Sequence, residues 1–70
     1  MKEVDARGLS CPEPLMLTDE ALKTVSDEIV VKVTEPFQRT NVEKFARSKG
    51  RTFTSGEQDG YYTVTIHKGA

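Results

Sequence analysis

The chain has 70 residues, with ten Lys/Arg, eleven Asp/Glu, one cysteine and a formal net charge of −1. A lone thiol excludes an internal disulfide, the single histidine leaves no Cys/His cluster for a structural metal, and no apolar run nears the roughly 18 residues of a membrane span. A single small domain over residues 1–70 must therefore fold on well-patterned helices and strands alone.

The elements follow in chain order. "KEVDA" (2–6) reads as a short strand ended by Arg7-Gly8. From Pro12 to about Val25 the apolar positions Leu15, Leu22 and Val25 share one face, widened by Leu17 and Ala21, which predicts a helix packed on one side. "EIVVKVT" (28–34) is β-branched, with Ile29, Val31 and Val33 on one face, and predicts a central strand. A second helix is expected over 40–50, with Thr40 as N-cap, Glu43 completing a capping box and Gly50 as the stop. Its buried stripe is Val42, Phe45 and Ala46. Residues 51–67 then predict a hairpin turning through Asp59-Gly60 in type I′ geometry, with Tyr62, Val64 and Ile66 alternating towards the core. The order β-α-β-α-β-β suggests an α+β two-layer sandwich with both helices on one face of the sheet.

The stretch "GLSCPEPL" (8–15) carries the thiol, Cys11, directly before Pro12 and Pro14. Proline fits a first helical turn, and a residue before proline is held extended, the conformation of an N-cap. With Cys11 as N-cap, Pro12 is N1, Pro14 is N3 and the amide of Glu13 is free to donate to the sulfur. Because Pro14 disfavours helical geometry at Glu13, a start one or two residues later is the alternative register. In either register the helix start favours the thiolate by about 0.3–1 kcal/mol, less than one pKa unit. The thiolate is the form that attacks sulfur.

These residues resemble a known family. "DARGLSCPEPL" is similar to the Asp-x-x-Gly-x-x-Cys-Pro-x-Pro signature of the TusA/SirA family of small sulfur carriers. "NVEKFARSKG" and "DGYYTVTIHKG" look most like the TusA-like domain of YedF-type proteins. The resemblance implies a mixed four-stranded sheet and a role for Cys11 in accepting a sulfane sulfur as a persulfide. It further implies that Asp5, Gly8, Pro12 and Pro14 shape the loop, that a cysteine desulfurase or other sulfurtransferase is the donor, and that a downstream protein is the acceptor, in tRNA thiolation or in related sulfur or selenium metabolism. Such a protein is a stoichiometric carrier with sulfurtransferase-type chemistry, not expected to turn over substrate alone.

Other residues invite further readings. Arg7 is a candidate to support a persulfide anion. Lys44, Arg47 and Arg51 belong to a basic set in the second half of the chain, which carries six basic and three acidic residues against four and eight in the first half. They are candidates for docking an acidic partner; with no interleaved aromatic, direct nucleic-acid binding is not expected. His67 is expected on the strand face opposite Tyr62, Val64 and Ile66, away from Cys11. No cofactor or metal is expected, and a cytoplasmic monomer is the simplest inference. Two other functions remain open from the sequence: a single-cysteine redox sensor, and a protein- or RNA-binding module built on the basic second helix.

Overall fold

The structure is a computed structural model that describes residues 2–10, 12–24 and 27–68. Its elements are β1 (Lys2–Asp5), α1 (Glu13–Thr24), β2 (Ile29–Val33), α2 (Pro36–Ser48), β3 (Phe53–Gln58) and β4 (Tyr61–Ile66). They form one mixed sheet in the order β1-β2-β4-β3. β1 runs parallel to β2, with Val4 beside Val31, while β4 is antiparallel to both its neighbours, with Val64 between Val31 and Ser55. The expected α+β two-layer sandwich is the fold observed, and the last strand of the chain lies inside the sheet.

Alternation decides the layers. Ile29, Val31 and Val33 of β2 and Val64 and Ile66 of β4 are fully buried on one face of the sheet. Val42 and Ala46 of α2 and Ala21 of α1 close over them, with Leu9, Leu15, Leu22, Phe53 and Tyr62 packed around this centre. The predicted inward set Tyr62, Val64 and Ile66 is therefore correct. In α1 the stripe is shifted. Leu17 is exposed and Thr18 is fully buried, because the Thr18 hydroxyl donates to the Pro14 carbonyl at 2.7 Å and so hides its polarity. Val25, expected on the same stripe, lies outside the described residues. None of the described helices is long and apolar enough to cross a membrane.

The second helix begins four residues before its expected N-cap. Glu35, in extended geometry, is the N-cap and Pro36 opens the first turn. Gln38 reaches back to accept from the Glu35 N–H at 3.1 Å. Thr40 is thus interior, its hydroxyl donating to the Pro36 carbonyl at 3.3 Å. Glu43 is not a capping residue either; it accepts from the Ser55 hydroxyl and lies 3.7 Å from Arg39. Phe45 is only half-buried. The stop is as expected: the Gly50 N–H donates to Arg47 O and the Arg51 N–H to Ala46 O, both at 3.0 Å, the paired bonds of a Schellman ending.

The hairpin has the expected two-residue loop, with Gln58 paired to Tyr61. Its turn is not type I′. That geometry needs positive φ at both central residues, and only Gly60, at +88°, has it. Asp59 escapes the cost that a side chain imposes in the left-handed region.

Candidate functional site

The segment from Ala6 to Ser10 leaves β1 at the end of the sheet where α2 begins, and it is held at every step. The Ala6 N–H still pairs with Lys32 O at 2.9 Å, continuing the β1–β2 ladder. The chain then turns, with the Leu9 N–H donating to Ala6 O at 3.3 Å. Gly8, third in that turn, has φ +78° and donates its N–H to Thr34 Oγ1 at 2.9 Å. A left-handed residue is required there, which is why the signature has glycine. Finally the Glu13 N–H donates to Ser10 O at 2.8 Å, locking the last residue before the cysteine to the first residue of α1.

That last bond corrects one expectation. The Glu13 amide, read from sequence as a donor for sulfur, is spent on Ser10. The start of α1 is likewise one residue later than the first register, with the Pro12 carbonyl accepting the first helical bond from Met16 N–H at 3.1 Å. Pro14 is buried and borders a small recess with Leu15, Gln38 and Asn41, so it also seats α1 against α2. Pro12 is exposed. Cys11 itself lies outside the described residues.

On the outer side, Asp5 and Arg7 form a brace. Arg7 Nε and Nη2 donate to the two carboxylate oxygens of Asp5 at 2.8 Å each, and the Arg7 N–H adds a third bond at 3.2 Å. These bonds hold the Asp5 carboxyl far below its ordinary value, and the same pairing raises Arg7 further. The guanidinium also lies 4.8 Å from the centre of the Tyr61 ring on β4. Asp5 and Arg7 thereby join the loop to the open face of the sheet.

The inner side is held by a residue the sequence reading missed. Gln38, 4% exposed, accepts from the N–H groups of both Thr34 and Glu35 and donates its Nε2 to Leu9 O at 2.7 Å. The signal was present in "EPFQ", a proline-opened first turn followed by a glutamine at N3, but the T-x-x-E that follows it is the more familiar pattern. Beside Gln38 a cleft of about 390 Å³ opens between the loop and α2, lined by Gly8, Leu9, Ser10, Thr34, Glu35, Phe37 and Gln38. Phe37 is 55% exposed on its rim.

The structure therefore gathers Asp5, Arg7, Gly8, Pro14 and Gln38 around the segments flanking Cys11, and leaves the basic residues elsewhere. Arg47 is nine positions beyond Gln38, about 13 Å along the helix axis, and its guanidinium lies 5.4 Å from the Phe53 ring centre. Lys44 is exposed. Arg51 is half-buried and donates to His67 O at 2.7 Å. The His67 ring bridges Glu28 Oε2 and Thr54 Oγ1 at 2.8 and 2.6 Å, and its residue follows Ile66, which is paired with the first residue of β2. That is the end of the sheet away from the loop. Among the described residues, no cluster of His, Cys, Asp or Glu could hold a metal ion.

A one-sided four-stranded sheet with a braced pre-helical loop at its end defines a SirA-like α+β domain. A SirA-like protein from Desulfitobacterium hafniense superposes with a TM-score of 0.93 at 31% sequence identity, over the full length of both chains. The chain belongs to the TusA family: the profile of that family, described as Sulfurtransferase TusA, matches residues 2–68. Its relatives include the Sulfur carrier protein TusA of Pseudomonas putida, 31% identical, and that of Pseudomonas entomophila, 33% identical; each alignment covers 96% of this chain and 88% of the relative.

Proposed function

We propose that the protein is a sulfur carrier that accepts a sulfane sulfur on Cys11 and relays it to an acceptor protein. The observation that carries this reading is the double-sided fixing of the Asp-x-x-Gly-x-x-Cys-Pro-x-Pro segment: Leu9 and Ser10 are bonded to α2 and α1 immediately before the cysteine. Fixing a loop costs conformational entropy of about 1–2 kcal/mol per residue. A thiol held for packing alone gives no reason for so many bonds around it, whereas a sulfur that must meet a partner's sulfur in line gains from a fixed approach.

The chemistry is an exchange between sulfur atoms. The Cys11 thiolate attacks the terminal sulfur of a donor persulfide; the donor's S–S bond breaks, its electron pair leaves on the donor thiolate, and a new S–S bond forms on Cys11. The product is the Cys11 persulfide, and a second exchange delivers the sulfur: an acceptor thiolate attacks its outer sulfur, the Cys11 S–S bond breaks, and Cys11 leaves as the thiolate. No net electron transfer is needed, so no cofactor is required. With the Glu13 amide spent on Ser10, activation of the thiol rests on the field of the α1 start. Asp5 and Arg7 act as the outer brace of the loop, and the cleft bordered by Phe37 offers a partner surface beside it. The donor is taken to be a cysteine desulfurase or another sulfurtransferase, and a reducing compartment such as the cytoplasm suits the lone thiol.

The test is intact mass spectrometry after incubation with a cysteine desulfurase and free cysteine. Wild type gains one sulfur atom, lost on reduction, and Cys11→Ser gains none. Oxidation by dilute peroxide without any uptake of sulfur would instead identify a redox sensor.

A further inference from the structure

We infer that Gln38 is a positioning residue for the reactive loop, acting through the Leu9 carbonyl two residues before Cys11; the inference rests on the carrier reading of that loop. A capping glutamine at N3 needs only its oxygen, to accept from the N-cap N–H. Gln38 does this, and its oxygen accepts from Thr34 as well. Its amide nitrogen serves something else: it crosses 29 positions of sequence to Leu9 O, at 2.7 Å. Both ends of a carboxamide are thus engaged, on two different elements, at a site that is 4% exposed. Buried there, an unpaired end would carry the full cost of desolvation.

The geometry makes the link directional. The carboxamide oxygen fixes the side chain to the start of α2, and the nitrogen holds the loop to that fixed point. One residue along, the Gly8 N–H on Thr34 Oγ1 provides a second strut from the same segment. Loop and helix start therefore move together. Remove the donor and the Leu9 carbonyl is released, while the cap survives; remove the strut and Gly8 is released, while Gln38 is untouched.

Three substitutions separate these roles. Gln38→Glu keeps the shape and the acceptor but places a carboxylate oxygen against Leu9 O. Gln38→Met keeps the length and loses all three side-chain bonds. Thr34→Val removes the strut alone. Each is first checked by far-UV circular dichroism and urea unfolding, and those that fold are compared with wild type in two assays. The first is the rate of Cys11 alkylation by iodoacetamide against pH; the second is the rate of sulfur uptake from a cysteine desulfurase. Folded Gln38 variants are expected to take up sulfur about tenfold more slowly or worse, with a shifted or lowered alkylation profile, and Thr34→Val to lie between them and wild type. Folded variants whose uptake and alkylation both match wild type would overturn the inference. If wild type takes up no sulfur at all, the carrier reading fails but the alkylation profile still decides the role of Gln38: a changed profile supports it and an unchanged one refutes it. Should both Gln38 variants fail to fold, hydrogen exchange of the Gln38 side-chain amide in wild type decides: protection supports the bond to Leu9 O, and exchange at the rate of an exposed carboxamide refutes it.

Discussion

Replacing Gly8 by alanine isolates the conformational demand of the reactive loop. A Cβ built on Gly8 meets no atom of the described residues within 4 Å, so the substitution introduces no clash with them. What it does introduce is an L-residue at φ +78°, at a strain of about 1–2 kcal/mol. Against this, alanine restricts the unfolded chain and returns about 0.4–1 kcal/mol. The net effect expected is a destabilisation of about 1 kcal/mol, or a fall in Tm of about 4–8 °C for a domain of this size. Urea unfolding followed by circular dichroism measures it, and an unchanged slope would show that the two end states keep their exposed areas. The sign carries the argument. If the residue had negative φ, alanine would stabilise the protein, so a raised midpoint refutes the loop geometry described above. D-Alanine, introduced by chemical synthesis, has the mirror-image preference and should raise the midpoint where L-alanine lowers it.

Other outcomes follow from the same contacts. Ile66→Ala empties a fully buried position paired with Ile29 and should cost about 2–5 kcal/mol by urea unfolding, a large part of the roughly 4–10 kcal/mol expected for the whole chain. Asp5→Asn tests the brace through pH. The Asp5 carboxyl titrates lower in the folded than in the unfolded chain, so its contribution is complete above the ordinary carboxylate value and is lost as the pH falls below it. Wild type should therefore lose more stability than Asp5→Asn between about pH 5 and pH 2, and equal losses would mean that the Arg7 pair is broken in solution. Phe37→Ser, at an exposed site, should leave the melting temperature within a few degrees of wild type while slowing sulfur uptake from the donor; normal uptake would remove the cleft from the partner surface.

Much of this molecule is legible in its residues. The β-branched run at Ile29–Val33 and the alternation at Tyr62, Val64 and Ile66 specify the inner sheet face, because burial on a pleated strand has a period of two. The signature around Cys11 marks the loop, and Gly8 states its turn. The miss at α2 has a local cause: glutamate is a weaker N-cap signal than threonine, so Thr40 and Glu43 outweighed Glu35, Pro36 and Gln38. Thr18 was missed because a threonine that satisfies its hydroxyl within its own helix packs as if it were apolar. Gln38 lay beyond any reading by periodicity. Its role depends on Leu9, and only the parallel pairing of β1 with β2 brings the two segments to the same end of the sheet.

The place of β4 has a consequence for synthesis. It is made after β1, β2 and β3, yet it lies between β2 and β3 and supplies two fully buried side chains to the core. While the chain is still emerging from the ribosome, β1, α1, β2 and α2 can form only a two-stranded fragment that lacks the Val64 and Ile66 side chains of the core, and β3 has no neighbour to pair with. Folding must wait until Ile66 has cleared the exit tunnel. A nascent chain stalled before Tyr61 should thus be open to proteolysis throughout, and one carrying a linker long enough to release β4 should become resistant in a single step.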